Sequence, residues 1–150
     1  MPAPRTHDYF AELYVAGRLA DAGWNVYFPH RDKGFDFIIS KSVTRGGPII
    51  RPVQVKGKYP TDEKGDRNAY GFIGSLSETH STMILAIAYF GRRSPTDPVC
   101  VAYMPLTSFK LNRRGIRCQP ASYKDGIPKP RREFAKFFDG SGIALLDTQA

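Results

Sequence analysis

Apolar residues recur at helical spacing between about Asp8 and Ala22: Phe10, Leu13 and Tyr14, then Val15, Ala16 and Leu19. That spacing predicts a helix, with Thr6 or Asp8 as its N-cap and Gly23 as a left-handed C-cap. Trp24 to Phe28 alternates and is rich in aromatic and β-branched residues, which predicts a strand closed by Pro29. Phe35 to Ser40 reads as a second strand. The turn Gly46-Gly47-Pro48 leads into a third, from about Ile50 to Lys56. The second and third strands read as a hairpin with a long connection. Pro52 has no N–H to donate and counts against a fully paired start to the third strand.

Past Gly57 the pattern turns polar. Lys58 to Asn68 carries Pro60 and Gly65 along with Asp62, Glu63, Lys64, Asp66 and Arg67, and reads as an exposed, mobile loop. Thr82 to Phe90 reads as a buried strand, with a short buried helix as the alternative. Val99 to Met104 reads as another strand, and Pro105-Leu106-Thr107 starts a short helical turn. Lys110 to Lys136 is basic and rich in Pro and Gly. Within it, Pro130 to Phe138 reads as a short helix with Phe134, Phe137 and Phe138 on its apolar side. Ile143 to Leu146 reads as a final strand. The order of elements predicts an α/β fold: a central mixed sheet flanked by helices, with residues 1–150 as a single domain.

Composition narrows what such a domain does. A chain of 150 residues buries a sizeable core without disulfides. Its two cysteines, Cys100 and Cys118, make neither a disulfide framework nor a CxxC zinc site, and both read as reduced thiols of a cytoplasmic protein. The N-terminus is not followed by a signal-type apolar stretch, and the longest apolar run, Met83 to Phe90, is too short to span a bilayer. The net charge of +8 favours a polyanionic partner, of which nucleic acid is the commonest. His7, His30 and His80 have no metal-ligand spacing.

Chemistry concentrates in the second and third predicted strands. Side chains alternate between faces with a period of two. Asp36 stands between Phe35 and Phe37, which are expected to face the other way, and Gln54 and Lys56 share the face opposite Val53 and Val55. The three polar side chains converge when the strands pair in register. A carboxylate and an ammonium inside apolar strands are costly to bury unless they are paired or bind an ion. On the first helix, Glu12 shares the stripe of Val15, Ala16 and Leu19, either at a solvent rim or directed into a site.

The residues Ala11-Glu12-Leu13, Gly34-Phe35-Asp36-Phe37-Ile38-Ile39 and Val53-Gln54-Val55-Lys56-Gly57, in that order of elements, resemble the PD-(D/E)xK nuclease superfamily. The likeness covers Ala11 to Gly57 and is nearest the branch of archaeal Holliday junction resolvases and a group-I-intron homing endonuclease. Gln54 stands where the family has its second carboxylate, which makes this chain a QxK variant. The resemblance implies a restriction-endonuclease-like core of order αβββαβ and Mg2+- or Mn2+-dependent hydrolysis of DNA phosphodiester bonds. It implies metal ligation by Asp36, Gln54, the Val55 carbonyl and Glu12, with Glu12 acting through a water or on a second ion. Bound metal lowers the pKa of a water and polarises the phosphate, and Lys56 orients that water and offsets transition-state charge. Products with a 5′-phosphate and a 3′-hydroxyl are also implied.

DNA contacts are expected from Arg31 and Lys33 before Asp36, and from Lys58, Lys64 and Arg67 in the following loop. In the basic C-terminal third, Arg113, Arg114, Arg117, Arg131 and Arg132 are expected phosphate contacts, alongside Lys110, Lys124, Lys129 and Lys136. Tyr59 and Tyr70 are candidates to stack on bases. Cutting two strands favours a homo-oligomer, dimer or tetramer, with symmetric sites. Two other readings remain at this point: a catalytically degenerate nucleic-acid-binding domain on the same fold, which Gln54 favours, and an interaction protein with no nucleic-acid role.

Overall fold

Helix α1 (Thr6–Asp21) presents Ala11, Val15 and Leu19, all fully buried, at fourfold spacing to the sheet. Phe10 and Leu13 lie outside that stripe and are 43% and 46% exposed. The helix ends as expected at Gly23, whose φ of 98° suits a residue without Cβ. Gly23 N–H donates to the Ala20 carbonyl and Trp24 N–H to the Leu19 carbonyl, both at 3.0 Å, the bond pair of a Schellman cap. Trp24 and Leu19 are both buried, which supplies the apolar contact that accompanies such a cap. The computed structural model describes residues 6–31, 34–42, 46–60, 71–72, 81–94, 96–108, 111–112 and 115–147. Among them no helix is long and apolar enough to cross a membrane.

The strands are β1 (Asn25–Tyr27), β2 (Phe37–Ser42), β3 (Pro48–Lys58), β4 (Gly71–Phe72), β5 (Ile84–Tyr89) and β6 (Cys100–Pro105). Five of them form a mixed sheet in the order β1-β2-β3-β5-β6. Only β3 and β5 run parallel in it, with Val53 opposite Ile84. β2 and β3 pair antiparallel, Phe37 opposite Val53, as the hairpin reading required. Pro52 fits because the pairing of β3 with β5 starts only at Val53. Its missing donor, in phase with Gln54, faces a side with no ladder partner. A parallel pair needs a long crossover. Here it runs through residues 59–83, of which 61–70 and 73–80 lie outside the described residues.

Alternation along these strands builds two apolar layers. On the α1 side lie Phe37, Ile39, Val53, Val55, Ile84, Ala86 and Ala88. On the other side Leu85, Ile87, Tyr89, Ala102 and Met104 pack against Ala121, Tyr123 and Phe138. Arg51 is the exception on the α1 side, 2% exposed and donating at 3.2 Å to the carbonyls of Thr82 and Leu146. Burial lowers its pKa, and the nearby Asp147 carboxylate pushes it back up. Lys41 makes a second clamp. Its Nζ donates to the Ala22 carbonyl at 3.2 Å, pairs with Asp147 at 3.1 Å and lies over the Trp24 ring.

The C-terminal third departs from the sequence reading. The stretch read as a basic Pro/Gly-rich segment holds β7 (Leu111–Asn112), β8 (Gly115–Cys118), β9 (Ala121–Lys124) and β10 (Ile127–Pro130). β4, β8 and β7 form one small sheet, and β9 and β10 form a two-stranded ribbon. The expected helix at Pro130 to Phe138 is a 3-10 turn over Arg132–Phe137. The expected strand at Ile143 to Leu146 is instead the end of helix α2 (Asp139–Leu146), which buries Ile143 and Leu146 at threefold spacing.

Helix α2 forms although it opens with two glycines. Asp139, at φ 53°, accepts a 3.0 Å bond from Val101 N–H and ties the turn to β6. At Gly142 any Cβ would overlap the Phe137 carbonyl, so only glycine lets the helix close on the preceding turn. At Gly140 nothing lies within 4 Å of a Cβ. The two glycines therefore predict opposite outcomes in denaturant melts. Gly140→Ala stabilises by about 0.5–1 kcal/mol through helix propensity. Gly142→Ala destabilises by at least about 1–3 kcal/mol through overpacking.

Burial also sets an alkaline limit. It raises the Cys100 thiol to about 12 and moves the Tyr103 and Tyr123 hydroxyls further up from their ordinary value. Each group holds its proton more tightly folded than unfolded. Their contribution is therefore complete below the unfolded values and is lost as pH rises toward the folded ones. Melting temperature is expected to be insensitive to these groups up to about pH 8.5 and to fall progressively above it.

Candidate functional site

At Gly34, φ 86°, the chain turns sharply ahead of β2. Phe35 then packs against the layer remote from α1, whereas Phe37 is buried in the α1-side layer. The expectation that these two phenylalanines share a face is therefore corrected. Asp36 sits at the end of a turn, one residue before the strand, and is not placed by strand alternation.

What places it is a gap in the ladder. β2 begins at Phe37, opposite Val53, and so stops short of Val55 on β3. Asp36 N–H donates to the Val53 carbonyl at 2.8 Å. The Val55 N–H, left without a strand partner, donates to Asp36 Oδ2 at 2.6 Å. This is a short, charge-assisted bond. The carboxylate thus occupies the position of the missing backbone carbonyl, in the plane of the sheet beside β3. Backbone groups of one strand residue point to one edge, so the Val55 carbonyl also faces the Asp36 side.

Gln54 and Lys56 flank Val55. Val53 and Val55 are buried toward α1, so Gln54 and Lys56 project from the other face, beside Leu85 and Ile87 of β5. Both are half-buried. The structure therefore brings the Asp36 carboxylate to the Gln54–Val55–Lys56 segment of β3, at the Val55 N–H. Glu12 is half-buried on α1, next to the fully buried Ala11. Among the described residues no three His, Cys, Asp or Glu side chains cluster as a metal site would require of them alone.

The expected DNA-contact residues scatter more widely. Arg31 is exposed in the turn before Asp36. Lys58 ends β3, and its carbonyl accepts from Phe90 N–H and from the Tyr123 hydroxyl, both at 2.8 Å. Arg132 is exposed. Arg131 is engaged locally, donating to the Gln119 carbonyl, lying 3.6 Å from Glu133 and resting over the Phe134 ring. Lys33, Lys64, Arg67, Tyr70, Arg113 and Arg114 lie outside the described residues, as does the Arg117 side chain. Tyr59 is not a free stacking ring: it stacks on Phe90 with centroids 4.5 Å apart.

The β9–β10 ribbon escaped the sequence reading. Its signal was Asp125-Gly126, a dipeptide that favours a tight hairpin turn because both residues take positive φ, here 54° and 75°. Read as a turn, it would have divided Ala121 to Pro130 into two paired strands.

Comparison with known protein families and with curated proteins gives no match. Among solved structures the chain is similar to a bacterial homing endonuclease, I-Ssp6803I. The superposition has a TM-score of 0.60 and 14% sequence identity, covering 98% of this chain and 95% of that one. The likeness is one of fold. It spans both the mixed sheet and the C-terminal third, well beyond the stretch from Ala11 to Gly57 on which the sequence resemblance rests.

Because Asp36 closes the ladder, it also contributes to stability. Asp36→Ala strands the Val55 N–H and is expected to cost about 1–3 kcal/mol in urea melts. Asp36→Asn keeps an acceptor oxygen at that place and is expected to cost less than half as much.

Proposed function

We propose that the chain is a metal-dependent endodeoxyribonuclease working through the QxK form of the PD-(D/E)xK site. The observation that carries this reading is the 2.6 Å bond from Val55 N–H to the Asp36 carboxylate. That bond holds an acid against the Gln54–Val55–Lys56 segment. The likeness in fold to a homing endonuclease supports the same reading.

The donor set suits a hard divalent ion. Oδ2 of Asp36 is committed to the backbone, which fixes the carboxylate and orients Oδ1 for another partner. The Val55 carbonyl on the same edge and the Gln54 amide oxygen add neutral oxygens, whereas Glu12 is carried by α1 on the opposite face from Gln54 and would act only through a water. Mg2+ accepts a site of few protein oxygens because it retains several waters. When bound there, Mg2+ or Mn2+ supplies a nucleophilic water and polarises the scissile phosphate. Lys56 holds a positive charge beside the reacting phosphate and orients the attacking water by hydrogen bonding. Gln54 does the same work as a carboxylate with one negative charge fewer, which weakens ion affinity. Cutting both strands of a duplex calls for two such sites in symmetry-related copies.

A second reading, a non-catalytic DNA-binding domain on this fold, draws on that missing charge. A nicking assay on supercoiled DNA with Mg2+ or Mn2+ separates the two. The wild-type protein is expected to nick, and Asp36→Asn and Lys56→Ala are expected to lose at least about 100-fold in rate, the scale of a lost electrostatic contact in the transition state. Nicking by Asp36→Asn at the wild-type rate would remove this site from the chemistry, and a wild-type protein that binds DNA without cutting would favour the second reading.

A further inference from the structure

The β9–β10 ribbon joins the domain beside the proposed site. Tyr123 on β9 directs its hydroxyl to the carbonyls of Lys58 and Phe90, at 2.8 and 2.7 Å. The first of these carbonyls ends β3 and the second lies one residue past the parallel strand β5. Lys58 is two residues past Lys56, roughly 7 Å along the strand. The ribbon is thus pinned, one pair from its turn, within one side-chain length of the residue proposed to act on the phosphate.

The ribbon has two unlike faces. Ala121, Tyr123 and Pro128 are buried against the domain. Ser122, Lys124, Ile127 and Lys129 point away, with Lys124 opposite Ile127 and Lys129 opposite Ser122. Ile127 is 59% exposed although it sits among cations. At the tip, Arg92 N–H donates to the Gly126 carbonyl at 3.2 Å, and the Arg92 side chain passes so close over Gly126 that a Cβ there would overlap it. Arg93 follows, also exposed. Among the described residues, none of Lys124, Lys129, Arg92 and Arg93 has an ion-pair partner. The turn carries Asp125, and Asp97 lines the cleft between the arginines and the tip. The only charges on the solvent face of the two strands are basic, Lys124 and Lys129.

We propose that this ribbon, with Arg92 and Arg93 at its tip, is the arm that seats duplex DNA across the site. Its outward face contacts phosphates through Lys124 and Lys129, and Ile127 meets the base edges. The inference rests on the endonuclease reading and adds the surface that reading lacked. The dimensions agree. A two-stranded ribbon with strands about 4.8 Å apart, plus its side chains, fits a major groove about 12 Å wide. Cations without internal partners give up no ion pair on binding a phosphate, so counterion release drives the contact.

The test is binding of the full chain to a 30-base-pair duplex in EDTA, by fluorescence anisotropy, across a salt series. Lys124→Ala with Lys129→Ala is expected to weaken binding about tenfold or more and to lower the salt slope by about 1.8, the effect of two lost phosphate contacts. Arg92→Ala with Arg93→Ala is expected to act in the same direction. Arg18→Ala, an exposed cation on α1, serves as the control and is expected to leave both readouts unchanged. Wild-type binding that the ribbon variants leave intact overturns the ribbon assignment and spares the nuclease reading. Preference for duplex RNA through the same residues overturns the DNA assignment. A wild-type protein that binds no duplex at low salt overturns both readings.

Discussion

A single backbone amide governs the part of this protein proposed to carry its chemistry. β2 begins two residues too late to serve Val55, and leaving a buried donor without an acceptor costs on the order of 1–3 kcal/mol. The Asp36 carboxylate resolves that deficit at 2.6 Å. Satisfying the amide also fixes a negative charge in the sheet plane, next to Gln54 and Lys56. The acid is therefore held in place by the fold's own hydrogen-bond requirement. That placement orients the carboxylate for the ion that the proposed function requires.

β3 is the strand on which everything else is assembled, and polar clips hold it along its length. Arg51 near its start ties it to the carbonyls of Thr82 and Leu146. Asp36 takes its middle, at Val55. Tyr123 closes its end at Lys58. Each clip comes from, or reaches to, a different part of the chain: the C-terminal helix, the turn before β2 and the C-terminal ribbon. A strand held in this way brings segments remote in sequence to one edge of the sheet. The apolar layers above and below supply burial, and the clips supply register.

The elements with strong periodicity were legible from the residues alone. The α1 stripe, the Gly23 cap, the β2–β3 hairpin and the buried strands β5 and β6 all emerged within two or three residues of their ends, because burial on one face enforces spacing. That Asp36 lies against the strand carrying Gln54 and Lys56 was legible too, though for a partly mistaken reason. Alternation placed Gln54 and Lys56 correctly, but Asp36 owes its position to the turn at Gly34, which strand periodicity does not encode. α2 was misread because Ile143 to Leu146 is a short apolar run that fits either helix or strand. The contact that decides it, Gly142 against the Phe137 carbonyl, is tertiary. The β9–β10 ribbon hid behind its charge and prolines, since most of its strand positions face solvent and carry no apolar alternation.

An anomalous difference map from a crystal soaked in Mn2+ interrogates the site most directly. A peak about 2.0–2.3 Å from Asp36 Oδ1 and in reach of the Val55 carbonyl is the expected outcome, with the peak lost in Asp36→Asn. Mn2+ bound elsewhere, or density that survives that substitution unchanged, would contradict the assignment of this carboxylate as the ion's ligand.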